Sequence, residues 1–272
     1  MERPIGVIDS GVGGLTVAHE LMRQLPREQL IYLGDNKRCP YGPRTKDEVR
    51  KFTWEMVNFL LKKNIKLLVI ACNTATAFTI DELTEHLEIP IIGVINPGAR
   101  AAINATVNEQ IGVIGTEGTI KSEAYPAALK KINPNLQVEA AACPLFVPIV
   151  EKGVLAGDEV KEVVKDSLLP FENNKEMDTL ILGCTHYPLL KPVIQEVIGE
   201  HVTVISSSEE TARETSAVLE LKHLQTKRKN PPVHEFYSTG NMDIFYKIAE
   251  TIFKESKYNN SYEIKSAVID VD

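Results

Sequence analysis

"LVIACNTAT", residues 68–76, is an apolar run that ends on a cysteine and then turns small and polar. "LILGCTHYP", residues 180–188, has the same rhythm, with Cys184 where the first stretch has Cys72. A second echo accompanies it: "IGVIDSGVGG" (5–14) returns as "IGVIGTEGT" (111–119). The offsets are nearly equal, 106 residues for that pair (5 to 111) and 112 for the cysteines (72 to 184). Two separate similarities at nearly one offset mark an internal repeat of a whole folding unit.

Working outward, strand-like and helix-like segments alternate. Short apolar runs at 5–9, 31–34, 66–71, 89–94, 110–115, 136–141, 178–183 and 201–206 read as strands, with helical stretches such as 15–25 and 45–63 between them. Near-continuous β-branched runs, rather than alternating ones, fit parallel strands covered on both faces. Ser207 and Glu210 have capping-box spacing at the start of a helix. The tail adds one more pair, strand 234–239 and helix 241–253. The expected fold is α/β, with two pseudo-symmetric αβα domains of mainly parallel sheets and the active site in the cleft between them. The first domain is expected over residues 1–96 plus 207–272, the tail returning to complete it, and the second over 97–206.

Composition bounds the function. The chain has 272 residues, 43% hydrophobic and 25% charged, which is ordinary for a soluble globular protein. No apolar run approaches the length of a membrane span, and "MERPIGVIDS" enters a strand at once, so a cytoplasmic protein is expected. A net charge of −7 argues against a nucleic-acid partner, which would need cations against phosphates. The basic cluster Lys227-Arg228-Lys229, beside two prolines, reads as a solvated connection. Four cysteines in such a compartment are expected to be reduced thiols.

In parallel α/β sheets, ligands bind beyond the carboxyl ends of the strands. Asp9, Ser10, Cys72, Asn73, Thr116, Cys184, Thr185 and His186 all fall at such ends. Two facing units would bring them to one polar pocket with a thiol on each wall. A cysteine at a strand–helix turn also meets the partial positive charge of the helix N-terminus, which favours thiolate. Cys39 and Cys143 lack symmetric partners and read as packing or loop residues. "CTH" supplies one thiol and one imidazole, but no second close pair follows, so a zinc site is not expected.

"DSGVGGLT" (9–16) is not a Walker loop, and Thr16 stands where a dinucleotide fingerprint has its third glycine. Asp35 resembles a ribose-binding acid, which keeps a nucleotide alternative open. Against it, Asp9 would set a carboxylate beside the phosphate. The glycines read instead as a tight turn that lets a small ligand approach the backbone. His186 is a candidate acid/base or thiol activator, and Tyr41-Gly42 in "CPYGPR" a candidate hydroxyl and N–H pair for a ligand carboxylate. Glu151, after the apolar run "LFVPIV", is either a buried carboxylate or a surface one.

Two symmetric thiols suit a reaction that removes a proton from one face of a carbon and returns one to the other. An unperturbed thiol pKa of about 8.5 leaves one thiolate and one thiol within reach of neutrality. The carbon acid is very weak, so its carboxylate must be held by preorganised donors such as Asn73, Thr74, Thr116 and Thr185.

Together, "IDSGVGGLTV", "RCPYGPR", "ACNTAT" and "LGCTHYPLL" resemble the glutamate racemases of the cofactor-independent amino-acid racemase superfamily, over about residues 5–250. The resemblance implies interconversion of L- and D-glutamate without a cofactor or metal, D-glutamate supply for peptidoglycan, and a homodimer whose arrangement is open. It implies Cys72 and Cys184 as the two acid/bases, acting on D- and L-glutamate respectively, assisted by Asp9 and His186. Glu151 matches an assisting carboxylate of some members. Asp9-Ser10, Tyr41-Gly42, Asn73-Thr74 and Thr185-His186 would line the substrate pocket. Two alternatives remain open: racemisation of aspartate or a hydantoin, and a two-domain nucleotide or amino-acid receptor whose cysteines are structural.

Overall fold

The computed structural model describes residues 2–254 and 261–269. Met1, 255–260 and 270–272, which belong to the expected first domain, lie outside the described residues. In chain order the elements are β1 (Ile5–Asp9), α1 (Leu15–Gln24), β2 (Leu30–Gly34), α2 (Lys46–Leu61), β3 (Leu67–Ile70), α3 (Asn73–His86) and β4 (Ile91–Gly93). There follow α4 (Ile95–Ala105), β5 (Gln110–Gly115), α5 (Glu117–Lys121), α6 (Ala124–Ile132), β6 (Gln137–Ala142), α7 (Phe146–Glu151), α8 (Asp158–Leu168), β7 (Thr179–Gly183), α9 (Lys191–Ile198) and β8 (Thr203–Ser206). The chain ends in α10 (Ser208–Leu221), β9 (Val233–Ser238), α11 (Met242–Phe253) and β10 (Ser261–Ser266).

The strands form two sheets, a six-stranded one ordered β10-β9-β2-β1-β3-β4 and a four-stranded one ordered β6-β5-β7-β8. Every pairing in both is parallel. Stripped of β9 and β10, the first sheet runs β2-β1-β3-β4, the same order as β6-β5-β7-β8 in the second. The sequence repeat is therefore a repeat of topology, with β1 matched to β5 and β3 to β7. β9 pairs with β2, so the tail returns to the first sheet. β10, which the sequence reading did not anticipate, extends it beyond β9.

Period-2 side-chain alternation explains why the inner strands are apolar throughout. Ile5, Val7, Tyr32 and Val69 face one core, while Ile8, Leu33, Leu68 and Ile70 face another on the opposite side of the sheet. In the second sheet Leu180 and Leu182 join the first of these cores, and Ile181 with Val113 packs under α4 and α6. One core thus runs from one sheet to the other, and each sheet carries helices on both faces.

Local signals set the helix starts. Thr45 and Glu48 form a reciprocal capping box at α2. The box expected at Ser207 and Glu210 does not form, because Ser207 already has helical backbone angles and no side-chain cap bond. Among the described residues, no helix is long and apolar enough to cross a membrane.

Candidate active site

Cys72 follows β3 and is the N-cap of α3, its Sγ accepting from the Ala75 N–H at 3.4 Å. Ser10 Oγ lies 3.6 Å from the same sulfur. Burial pushes the thiol up to about 12, and the nearby Asp9 carboxylate adds to the rise. The Ala75 N–H and Ser10 hydroxyl pull the other way and lose. The helix N-terminus favours thiolate as expected, but desolvation outweighs this single weak N–H contact.

Cys184 occupies the matching place after β7, and its Sγ lies 3.8 Å from His186 Nδ1. His186 Nε2 lies 2.7 Å from Glu151 Oε1. Glu151 is the last residue of α7, and the Val12 N–H donates to Oε1 at 3.1 Å. Tyr187 fixes this arrangement: its hydroxyl donates to the Cys143 carbonyl at 2.8 Å and its ring packs edge-on against Phe146 at 4.9 Å. The turn that carries His186 is thereby tied to the helix that carries Glu151. Burial opposes a charged His186, yet hydrogen bonds with Cys184, Cys39 and Glu151 raise its pKa well above the ordinary histidine value. Burial likewise opposes the Glu151 carboxylate, but the contact with His186 leaves its pKa below the usual range.

Asp9, at the end of β1, is fully buried. Its Oδ2 accepts from the Gly11 N–H at 2.9 Å and its Oδ1 from the Thr185 hydroxyl at 3.0 Å. Burial raises its pKa, while the positive field of His186 and these donors oppose the rise. The acid of the first wall is therefore held by the second wall, as the Glu151 of the second is held by Val12 of the first.

The glycine-rich turn is closely covered by the residues after β7. A Cβ on Gly13 would stand 2.4 Å from His186 Nδ1, 2.6 Å from Thr185 Oγ1 and 2.7 Å from the His186 backbone nitrogen. The second wall, packed onto the turn, occupies this space.

Asn73 opens α3 and is buried, its Oδ1 accepting from Tyr125 of α6 at 2.7 Å. Its Nδ2 is buried with no hydrogen-bond partner among the described residues, the condition of a donor kept for a ligand acceptor. Thr74 Oγ1 lies 2.8 Å from Thr116 Oγ1 and 3.1 Å from Thr119 Oγ1, a triangle of hydroxyls spanning α3 and α5. Gly42 joins this seam through its carbonyl, which accepts from the Gly118 N–H at 2.9 Å. Tyr41 departs from its expected use: its hydroxyl donates to Asp35 at 2.6 Å, so it is committed to the protein. Asp35 also accepts from Thr239 at 2.8 Å, which gives it a structural role in place of the ribose-binding one.

The structure thus brings together Asp9, Ser10, Cys72, Asn73, Thr74, Thr116, Glu151, Cys184, Thr185 and His186, and turns the Tyr41 hydroxyl away. Sequence reasoning missed Thr119 and Tyr125. Thr119 sits three residues after the N-cap Thr116, and its N–H donates to that cap's hydroxyl oxygen, a spacing that was available to read. Tyr125 has no local signal, because its partner Asn73 is 52 residues away. All four cysteines are free thiols.

Fold and site together define a pseudo-symmetric α/β protein with one buried thiol at the matching strand end of each half. The chain belongs to the Asp/Glu/Hydantoin racemase family, whose model matches residues 5–215. It is 69% identical over 258 residues to a glutamate racemase of Oceanobacillus iheyensis, covering 95% of this chain and 94% of that protein. It is 56% identical to a glutamate racemase of Listeria monocytogenes, covering 92% and 94% of the two chains. Among solved structures, the glutamate racemase isoform RacE1 of Bacillus anthracis superposes with a TM-score of 0.91 at 49% identity, covering 98% of this chain and 99% of that one. The Francisella tularensis glutamate racemase in complex with D-glutamate gives 0.89 at 36% identity, covering 99% and 98%.

Proposed function

We propose that the chain interconverts L- and D-glutamate without a cofactor, by two-base proton transfer at Cα with Cys72 and Cys184 as the bases. The observation that carries this reading is the equivalence of the two thiols: each follows a matched strand, β3 or β7, and each has its own acid/base neighbour. The substrate is the one that names the relatives described above.

One thiolate takes the Cα proton and becomes a thiol, while the opposite thiol gives its proton to the other face and becomes a thiolate. Net, one hydrogen is exchanged and the centre inverts. The electron pair left at Cα delocalises into the substrate carboxylate, so donors aimed at that carboxylate stabilise the developing charge. The unpaired Asn73 Nδ2 and the hydroxyls of Thr74 and Thr116 are of this kind, while the Thr185 hydroxyl is donated to Asp9. The resting Cys72 thiol, held up to about 12, is a poor base until a positive charge arrives. The substrate ammonium supplies one and favours the thiolate. Asp9 serves the Cys72 side and His186, backed by Glu151, the Cys184 side. The thiol at Cys72 acts on D-glutamate and that at Cys184 on L-glutamate.

The same reading divides the chain into a unit of 1–96 plus 207–272 and a unit of 97–206, supported by the return of β9 to the first sheet. It takes the protein to be a cytoplasmic homodimer that supplies D-glutamate for peptidoglycan; free thiols suit a reducing compartment.

Incubation with L-glutamate in D2O tests the reading. Loss of optical rotation with deuterium incorporation at Cα is expected, and Cys72→Ala or Cys184→Ala abolishes racemisation. Turnover of aspartate or a hydantoin in preference to glutamate, or no turnover of any of the three, would overturn it.

A further inference from the structure

Gly11 has no side chain, and three metal-binding donors meet where its Cβ would stand. That point lies 2.3 Å from Glu151 Oε1, 3.0 Å from Cys39 Sγ and 3.3 Å from His186 Nε2. The donor atoms all lie within 4.8 Å of one another, and among the described residues no other three His, Cys, Asp or Glu donors gather this closely. They come from three stretches of chain: the loop after β2, the end of α7 and the turn after β7. Sequence spacing gave no hint of this, since the nearest two are 35 residues apart.

We propose that Cys39, Glu151 and His186 form an inhibitory site for a divalent cation of the zinc class. A thiolate, an imidazole and a carboxylate are the donor set that zinc takes, with bonds of about 2.0–2.3 Å. Tetrahedral bonds of that length set donors roughly 3.3–3.8 Å apart. The Cys39–Glu151 edge, 3.5 Å, already has that span. The Glu151–His186 edge, 2.7 Å, is the length of a hydrogen bond and opens by roughly half an ångström when a cation replaces the shared proton. One thiolate and one carboxylate neutralise a dication, so the filled site buries no net charge. Two protons leave to solvent, one from the Cys39 thiol and one from between His186 and Glu151.

A cavity beside the cluster lies apart from the paired thiols. It has a volume of about 320 Å³ and is lined by Cys39 and Glu151 together with Asn36, Pro40, Val147 and Asn241. Two of the three donors line it and neither of the paired thiols does, so the proposal brings the cation, and a water as fourth ligand, in from this side. Lys152 also lines it and disfavours a cation there, which the two anionic donors offset.

The consequence for turnover rests on the two-base reading above. A cation on Nε2 leaves His186 neutral, with its one proton on Nδ1 facing Cys184. The imidazolium that supports the Cys184 side is lost, and racemisation stops while the cation is bound.

Cobalt(II) chloride titrated into the full chain provides the test, because a thiolate–cobalt bond adds a near-ultraviolet band and tetrahedral geometry adds visible ones. One equivalent is expected to develop both bands. They persist in the Cys72→Ser/Cys184→Ser double variant, which has no racemase activity to confuse the reading. In Cys39→Ser the affinity falls about 100-fold or more, beyond the 10–100-fold typical of losing an outer-sphere partner. Cys39→Ala serves the same purpose if the serine variant does not fold, as judged by its circular dichroism. Zinc chloride displaces the cobalt bands, inhibits racemisation of the unmodified chain, and inhibits Cys39→Ser only at concentrations raised by the same factor. Bands that survive in Cys39→Ser and vanish in the double variant would assign the cation to the paired thiols and overturn the proposal, as would no band at millimolar cobalt. Failure of racemisation alone leaves the cobalt result standing, so the two readings fail separately.

Discussion

Glu151 Oε1 lies 2.7 Å from His186 Nε2, on the opposite side of the ring from the nitrogen that faces Cys184 at 3.8 Å. The carboxylate both orients the imidazole and sustains its charge. Glu151→Gln retains an acceptor but removes the charge. Rates in both directions are expected to fall about 10–100-fold with little change in KM. The limb of the pH–rate profile that reports His186 moves to lower pH, because the charge that raises its pKa is gone. An unchanged profile would reduce Glu151 to a packing role.

The unpaired Nδ2 of Asn73 makes a second prediction. A hydrogen bond to a charged group is worth about 1.5–3 kcal/mol, or roughly 10–150-fold. Asn73→Ala is therefore expected to lower kcat/KM on glutamate by about that factor. Tyr125→Phe removes only the hydroxyl that orients Asn73 Oδ1 and is expected to cost about 2–10-fold, mainly in KM. Steady-state kinetics of both variants and their combination check the order. In the double variant the tyrosine effect disappears, since there is no amide left to orient.

The matched topology and the paired thiols were legible because each rests on residues close in sequence: an apolar run, then a cysteine at its end. The use of the Tyr41 hydroxyl and the packing on Gly13 were not legible. Nothing near Tyr41 in sequence shows that its hydroxyl meets Asp35 six residues back, and nothing near Gly13 shows that His186 will pack on it. The charge state of Cys72 was also illegible. A helix N-terminus can be read from spacing, but the burial that opposes it arises only when the chain folds. β10 was missed because Ser261, Glu263 and Ser266 are exposed and Tyr262 and Ile264 only half covered, so it carries no continuous apolar run.

Gly11 and Gly13 separate stability from catalysis. A Cβ on Gly13 meets the His186 backbone nitrogen at 2.7 Å, which cannot swing aside. Gly13→Ala is expected to destabilise by about 1–3 kcal/mol as an overpacked site, lowering Tm by roughly 2–12 °C. A Cβ on Gly11 meets only the ends of the Glu151, Cys39 and His186 side chains. These can move, so Gly11→Ala is expected to lose kcat while Tm changes less. Thermal melts and kinetics on both variants decide, and a larger Tm loss for Gly11→Ala would reverse the argument.

His234 makes stability depend on pH far from the thiols. It is fully buried on β9, where its Nδ1 accepts from the Leu30 N–H at 3.2 Å and its Nε2 has no partner among the described residues. Burial lowers its pKa from 6.5 to about 4, with repulsion from Arg228 adding to the shift. The folded chain therefore resists a proton that the unfolded chain accepts. With the folded pKa below the unfolded one, stability is intact above about pH 6.5 and is lost as pH falls towards 4. The full loss, reached below pH 4, is about 3 kcal/mol from this residue. His234→Asn leaves an acceptor for Leu30 and nothing to titrate. Urea unfolding of both proteins at pH 7 and pH 4.5 is expected to give the variant a smaller drop in midpoint than the parent. Equal drops would mean that His234 is protonated in the fold without penalty.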